Sequence, residues 1–251
     1  ITCSTGSPLY VYKSKATTLY LPEGTASTLT DGTDYTFSDS YSSAEEEEPN
    51  ACLYSKSDLV IAGSGSLTVN ANYNNGITGK DTLFIQKASV TVTAVNHGIN
   101  GKDSLTIKDA DITVTSGGDA LRSTNDSDTT LGYLVITGSA LKLTAGEDGI
   151  QAETTLTISG GTFKQAVTIT RYDDTNTGTC SISGGTFKDK LTLYRSKSKL
   201  SALLADGYAY YQNDAIVSGE ATELTNVTVK NGHVHTIDAN TGECSVCKAK
   251  M

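Results

Sequence analysis

The sequence predicts an all-β protein whose central part is a right-handed parallel β-helix. Three observations indicate this fold class. A short unit recurs between residues 51 and 187, apolar residues alternate within each unit with a period of two, and Gly, Asn or Asp separates the alternating runs. Alternation is the spacing of a β-strand, and stacked coils can bury faces that one coil cannot bury alone. An antiparallel β-sandwich is the alternative, but it does not explain the constant spacing.

The repeated unit supplies the same apolar columns each time. The first column recurs at intervals of 24, 22, 22 and 29 residues and consists of Leu53, Ile77, Ile99, Leu121 and Ile150. Six residues after most of these positions comes a leucine, and two residues later an isoleucine. The fourth unit reaches its leucine late, which predicts a seven-residue insertion within residues 123–132. We expect the columns to point inward, with successive members about 4.8 Å apart.

Four regions follow in chain order. Residues 1–50 are predicted to form an N-terminal cap and the first strands, and residues 51–193 form the β-helix. Residues 194–218 are predicted to be a C-terminal cap, with a short helix at 198–205 followed by a strand. Residues 219–251 are predicted to be a tail with one strand at 226–230 and a His/Cys cluster. The acidic run Glu45–Glu48 is predicted to be a solvated loop, with a cation site as the alternative.

Composition narrows the possible partners. The 251 residues carry a formal net charge of −9, which argues against nucleic acid because phosphate binding needs Lys and Arg. The chain has no apolar run long enough for membrane insertion. It has no Trp, one Met and 24 Gly, with abundant Thr and Ser, which favours a protein that is extracellular or on the bacterial cell surface.

One column of residues before the bends predicts calcium binding. It comprises Ala51, Asn75, His97, Asp119 and Asp148, and a small residue follows each of them. Two carboxylates stacked about 5 Å apart repel each other unless a cation lies between them. The predicted calcium ligands are therefore Asp119, Asp148, Glu147, Asp126 and Asp128. The alternative is that these side chains only satisfy the backbone of the turn.

A second column is basic and predicts a contact with acidic sugars. Lys56, Lys80 and Lys102 occupy it, and tyrosines nearby could supply an aromatic platform. The predicted carbohydrate contacts are Lys80, Lys102, Arg122, Tyr73 and Tyr133. The alternative is a surface ladder of Lys and Asp that only protects the stack.

The tail carries the ligand types that zinc prefers. His233, His235, Cys244 and Cys247 are predicted to form one tetrahedral zinc site, with a local disulfide or free thiols as the alternative. Zinc is thus a second predicted cofactor beside calcium. Cys52 and Cys180 fall in small or inward columns and are predicted to be buried thiols.

Several motifs together resemble a known family. The runs 51–61, 74–77, 101–105 and 147–150 look like the bacterial carbohydrate-binding family with a polysaccharide-lyase-like parallel β-helix, over roughly residues 9–190. The resemblance implies secreted proteins that bind plant cell-wall polysaccharides, with calcium in the helix and no established catalysis. His97 and Ala120 depart from the acidic or glycine residues of such repeats. The segment 203–211 and the tail resemble repeats of large bacterial surface proteins.

Three functions remain open from the sequence. The first is non-catalytic, calcium-assisted binding of plant cell-wall polysaccharide. The second is a structural surface protein, adhesin or fibre subunit that associates end to end. The third is a polysaccharide lyase, although the sequence has neither a Gly-x-Ser-x-Gly elbow nor a phosphate-binding loop. We therefore predict that the chain is not an enzyme.

Overall fold

The computed structural model describes residues 1–37, 40–44, 46–170, 179–194 and 199–232, and strands dominate it. The strands in chain order are β1 Thr2–Cys3, β2 Leu9–Val11, β3 Ala16–Tyr20, β4 Ala26–Asp31, β5 Ala51–Ser55, β6 Asp58–Ala62, β7 Ser66–Ala71, β8 Asn75–Gly79, β9 Thr82–Gln86, β10 Ser89–Ala94, β11 Ile99–Gly101, β12 Ser104–Lys108, β13 Asp111–Ser116, β14 Leu121–Ser123, β15 Tyr133–Thr137, β16 Ala140–Ala145, β17 Ile150–Ala152, β18 Thr155–Ser159, β19 Thr162–Phe163, β20 Val167–Thr170, β21 Thr179–Ile182, β22 Gly185–Tyr194, β23 Tyr208–Gln212, β24 Ala215–Val217 and β25 Glu223–Asn231. Within these ranges the helical structure is a 3₁₀ turn at Leu200–Leu203, and no helix is long and apolar enough to cross a bilayer.

The strands stack into a parallel β-helix with three faces, as the sequence predicts. Face 1 is the seven-stranded sheet β3, β6, β9, β12, β15, β18 and β21. Face 2 contains β4, β7, β10, β13, β16 and β19, and face 3 contains β2, β5, β8, β11, β14, β17 and β20. Each strand pairs in parallel with the strand one coil before it and one coil after it.

The predicted apolar columns are confirmed as inward ladders. On face 3, Leu53 lies in register with Ile77, Ile77 with Ile99, and the ladder continues through Leu121 to Ile150. All five side chains are fully buried. Inside face 2, the rings of Phe163 and Phe187 stack with their centroids 4.5 Å apart and their planes 6° apart. The core is therefore a set of ladders that run the length of the stack.

Small residues follow the corner column because the interior has no room for larger ones. A Cβ atom added to Gly98 would lie 2.3 Å from Val114 Cγ1, on the opposite inner face. This distance is well below van der Waals contact, so the bend brings two faces together. Ala120 and Cys52 occupy equivalent positions in other coils and are fully buried there.

The first coil and the insertion lie where the sequence places them. Strands β2 and β3 pair with β5 and β6, so residues near the N-terminus complete the first rung. The insertion forms the loop between β14 and β15. Its Asn125 donates a hydrogen bond of 2.6 Å to Asp103 Oδ1, one coil below, which fixes the loop to the stack.

The C-terminal end closes with antiparallel pairs. Strand β25 pairs antiparallel with both β22 and β23, and it is longer than the predicted strand at 226–230. A helix was expected at 198–205, and the described residues from 199 onward contain a single 3₁₀ turn instead. Gly207, with a φ of +79°, turns the chain from this segment into β23. The hydroxyl of the buried Tyr210 donates to the Leu200 carbonyl at 3.0 Å and ties the cap together.

Candidate functional site

Three outward columns lie side by side on face 3 and contain most of the predicted site residues. The polar column is the middle of each strand and consists of Tyr54, Thr78, Asn100, Arg122 and Gln151. The cation column, Lys56, Lys80 and Lys102, follows the strand ends and continues their backbone ladder. The corner column, Asn75, His97, Asp119 and Asp148, precedes or begins the strands. The three columns run parallel to the axis of the β-helix.

The polar column has hydrogen-bonding groups that the fold does not use. Among the described residues, five buried side-chain polar atoms lack a hydrogen-bond partner, and four of them belong to consecutive members of this column. They are Tyr54 Oη, Thr78 Oγ1, Asn100 Oδ1 and Arg122 Nε. Buried polar groups are normally paired in folded proteins. A run of such groups on one face favours a polar ligand there, although the atoms themselves are buried.

Two members of the cation column share one buried carboxylate. Lys56 Nζ lies 3.0 Å from Glu48 Oε2, and Lys80 Nζ contacts Glu48 Oε1. Burial opposes ionisation of Glu48, but hydrogen bonds from Lys80 and Lys56 outweigh it, together with the adjacent Tyr54 hydroxyl, and lower the pKa to about 2. The prediction of a solvated acidic loop is therefore wrong for Glu48, which is only 7% exposed. Lys102 differs from Lys56 and Lys80 in its ion pairing, because no carboxylate of the described residues lies within 4.0 Å of its Nζ.

An aromatic group that the sequence analysis missed borders this carboxylate. Glu46, Glu48, Lys56 and Lys80 line a depression of about 520 Å³. Beside it the rings of Tyr12 and Tyr41 meet edge to face with centroids 5.0 Å apart, and Lys56 Nζ lies 5.5 Å from the Tyr12 ring centroid.

Both tyrosine side chains beside the depression are exposed. Tyr12 directly precedes the cation column, since it follows β2 as Lys56 follows β5. Aligning residues 9–12 with residues 53–56 would therefore have placed Tyr12 next to Lys56 from the sequence alone.

The corner column works first as a backbone ladder. The backbone N–H of His97 donates to Asn75 Oδ1 at 3.2 Å, and the backbone N–H of Asp148 donates to Asp119 Oδ1 at 3.1 Å. Between them, the Asp119 N–H lies 3.0 Å from His97 Nδ1. Each side chain thus faces the backbone of the next coil, as expected for polar residues that satisfy a turn.

A charged cluster surrounds Asp119. His97 Nδ1 and Arg122 Nη1 lie 3.3 Å and 3.4 Å from Asp119 Oδ2, and Arg122 Nη1 lies 2.6 Å from His97 Nε2. Burial raises the pKa of Asp119, but the contacts with His97, the Asp148 backbone and Arg122 outweigh it and hold the pKa below its usual value. A neutral imidazole accepts at only one nitrogen, so the Asp119 N–H and Arg122 compete for His97.

The same cluster contains the one group of potential metal ligands found among the described residues. Ligand atoms of His97, Asp119 and Glu147 all lie within 4.8 Å of one another. Two carboxylates suit calcium, but calcium takes six to eight oxygen ligands and the imidazole is a poor substitute. The Arg122 guanidinium already supplies positive charge to Asp119. The donor set fits calcium only in part. Asp119 and Glu147 offer two carboxylates, and calcium would need additional oxygen ligands.

The other predicted calcium ligands lie apart from this group. Asp148 is buried one coil above Asp119. Asp126 and Asp128 are exposed in the insertion loop, where the Asp128 carboxylate accepts hydrogen bonds from Thr130 N at 2.8 Å and Thr130 Oγ1 at 2.7 Å. These hydrogen bonds lower the pKa of Asp128. Asp128 therefore closes a local turn, and the structure does not bring either loop carboxylate to Asp119.

The predicted aromatic contacts are separated from the cation column. Tyr73 stacks on Tyr35 with ring centroids 4.2 Å apart and an interplanar angle of 15°, so one of its faces is covered. Tyr133 begins β15 on face 1. Lys80, Lys102 and Arg122 remain together on face 3. The four predicted zinc ligands, His233, His235, Cys244 and Cys247, lie outside the described residues.

Comparisons with known proteins identify the family and support the fold. A family model described as carbohydrate-binding domain-containing protein matches residues 1–244. A carbohydrate-binding domain-containing protein of Acetivibrio thermocellus is 41% identical over 167 residues, which cover 66% of this chain and 57% of that relative. The chain thus matches little more than half the length of this relative. A solved structure, the polysaccharide lyase-like protein from C. thermocellum as a gadolinium derivative, is 29% identical with a TM-score of 0.64, covering 82% of this chain and 72% of that one.

Proposed function

The chain belongs to the family of carbohydrate-binding domain-containing proteins, and from that premise we propose that face 3 binds an acidic plant cell-wall polysaccharide without cleaving it. The polysaccharide lies along the stack and contacts Lys102 of the cation column and Arg122. A protein that binds such a glycan acts outside the cell or on the cell surface. The observation that carries the proposal is the alignment of basic side chains on successive coils of a protein whose net charge is −9.

The spacing of the columns supports an extended ligand. Neighbouring coils are about 4.8 Å apart. Lys102 and Arg122 lie on adjacent coils in neighbouring columns, because Arg122 pairs with Asn100 in the ladder. A linear polymer with a carboxylate on each unit can meet several of these charges at once. The unused polar groups of Thr78 and Asn100 lie between the cation and corner columns. A slight movement of the side chains that cover these two oxygen atoms would let them hydrogen-bond with sugar hydroxyls.

Calcium assistance is the second part of the proposal. Asp119 and Glu147 would hold the ion, with Asp148 one coil away. A bound calcium ion would neutralise these carboxylates and offer open coordination positions to sugar oxygens. The corner otherwise places negative charge beside the path of an acidic glycan, and Arg122 compensates only Asp119. Binding that strengthens with calcium is therefore the expected behaviour.

Titration with oligogalacturonides tests the proposal directly. We expect binding to weaken with added salt, to weaken after chelation of calcium, and to weaken several-fold in Lys102→Gln. The matched control is Lys164→Gln, which removes a lysine paired with Asp111 on a different face. Equal binding of Lys102→Gln and wild type would refute the location. Release of unsaturated uronates, measured by ultraviolet absorbance, would show a lyase instead.

A further inference from the structure

The contact between Glu48 and two lysines has the composition of a carboxylate-binding site. Two donors converge on one carboxylate, Lys56 Nζ and Lys80 Nζ, and the Tyr54 hydroxyl lies next to it. The Tyr54 side chain is 1% exposed, and its hydroxyl has no well-formed hydrogen bond to any described residue. Burial, and next the neighbouring Glu48, raise the pKa of Tyr54, so the phenol stays protonated and remains a donor. The donors belong to successive coils, whereas the acceptor comes from outside the repeats.

Glu48 reaches this position on an irregular segment that is fixed to the stack. Its backbone N–H donates to the Ser43 carbonyl at 2.9 Å, and the Ser43 N–H donates to the Glu48 carbonyl at 2.8 Å. The Tyr10 hydroxyl donates to the Tyr41 carbonyl at 2.8 Å and holds the start of the segment against β2. The lysine side chains remain 30% and 40% exposed, and open space lies beside them. Another carboxylate can therefore approach the same donors from solvent.

We propose that Glu48 occupies, in cis, a carboxylate subsite of the cation column and thereby withholds Lys56 and Lys80 from acidic sugars. Resting on the proposed function, this makes Glu48 a specificity-determining residue. In the wild-type chain an acidic glycan engages Lys102 and Arg122, and its path ends at the Glu48 carboxylate. Without that carboxylate the same glycan extends over two further coils.

Glu48→Gln tests the subsite, with Glu46→Gln as a matched control that removes a charge from the same depression. For oligogalacturonide titrated at low salt, we expect Glu48→Gln to bind about fivefold tighter, because two more exposed ion pairs form. Its affinity should also fall more steeply with salt, since more counterions are released. Glu46→Gln should differ from wild type by less than about twofold. Should Glu48→Gln fail to fold, Glu48→Asp shortens the side chain and is expected to change affinity in the same direction.

Lysine acylation followed by mass spectrometry gives an independent result on the wild-type protein. Bound oligogalacturonide should protect Lys102 but leave Lys56 and Lys80 as reactive as in the free protein, and in Glu48→Gln all three should be protected. Equal protection of the three lysines in wild type would overturn the inference, as would unchanged affinity in a folded Glu48→Gln. Absence of any binding by wild type would instead refute the proposed function.

Discussion

Replacement of Asp119 by alanine tests whether the corner column holds neighbouring coils together. The side chain is 4% exposed, and its Oδ1 is the acceptor for the Asp148 backbone N–H. Alanine leaves that buried N–H unpaired, which costs about 1–3 kcal/mol, and removes the carboxylate from the partly exposed Arg122, which adds about 1 kcal/mol. We expect the free energy of unfolding to fall by about 2–4 kcal/mol in urea, followed by far-ultraviolet circular dichroism.

Asparagine at the same position separates the two contributions. Asp119→Asn keeps an oxygen for the Asp148 N–H and loses only the charge, so we expect it to cost about 1 kcal/mol. Asp111→Ala is the control, because Asp111 is exposed and forms an ion pair with the exposed Lys164 at 3.5 Å. Equal losses in the alanine and asparagine variants, or an alanine variant as stable as wild type, would refute the role of the backbone ladder.

The remaining predictions concern the core, the Glu48 carboxylate and the tail. Ile99→Ala should lower the free energy of unfolding by about 2–5 kcal/mol and Ile99→Val by about 0.5–1.5 kcal/mol, because the neighbouring ladder residues cannot fill the space of the removed atoms. Urea unfolding measures both values, and equal losses in the two variants would contradict this. The pKa of Glu48 is depressed from 4.5 to about 2, so its contribution, of order 3 kcal/mol, is complete above about pH 4.5 and is lost as pH falls toward 2. The stability of Glu48→Gln should lack this pH-dependent contribution. Identical plots of stability against pH for Glu48→Gln and wild type would contradict the prediction. Elemental analysis should find about one zinc per chain and none in Cys244→Ser; metal-free wild type with no titratable thiol at Cys244 would indicate a disulfide.

Periodicity explains why most of the fold was predictable. The column from Leu53 to Ile150 could be aligned from the sequence because each coil repeats the same environment, and register follows from the repeat. Lys80 and Lys102 could be aligned as one column in the same way, whereas Arg122 lies in the neighbouring polar column. Their part in carbohydrate binding stays a prediction. The 3₁₀ turn at Leu200–Leu203 lies where a helix was expected, but an isolated turn carries too little pattern to define its type.

The irregular segments were not predictable for the same reason. Glu48 belongs to an acidic run that looks solvent-exposed in the sequence, and its burial depends on where an aperiodic segment folds across two coils. Tyr12 and Tyr41 are distant in the sequence and meet only because of that folding. Conversely, Asp126 and Asp128 look like metal ligands by residue type, but the structure does not group their carboxylates with Asp119.

The closed C-terminal end limits how copies of this protein can assemble. Strand β25 covers β22 in antiparallel orientation, and the bridge from Ile182 to Leu204 covers the last strand of face 1. A filament that continued the coil ladder from one molecule into the next would need a free parallel edge on all three faces. Growth from this end would therefore require β25 to unpair from β22 first, which gives that step a kinetic barrier.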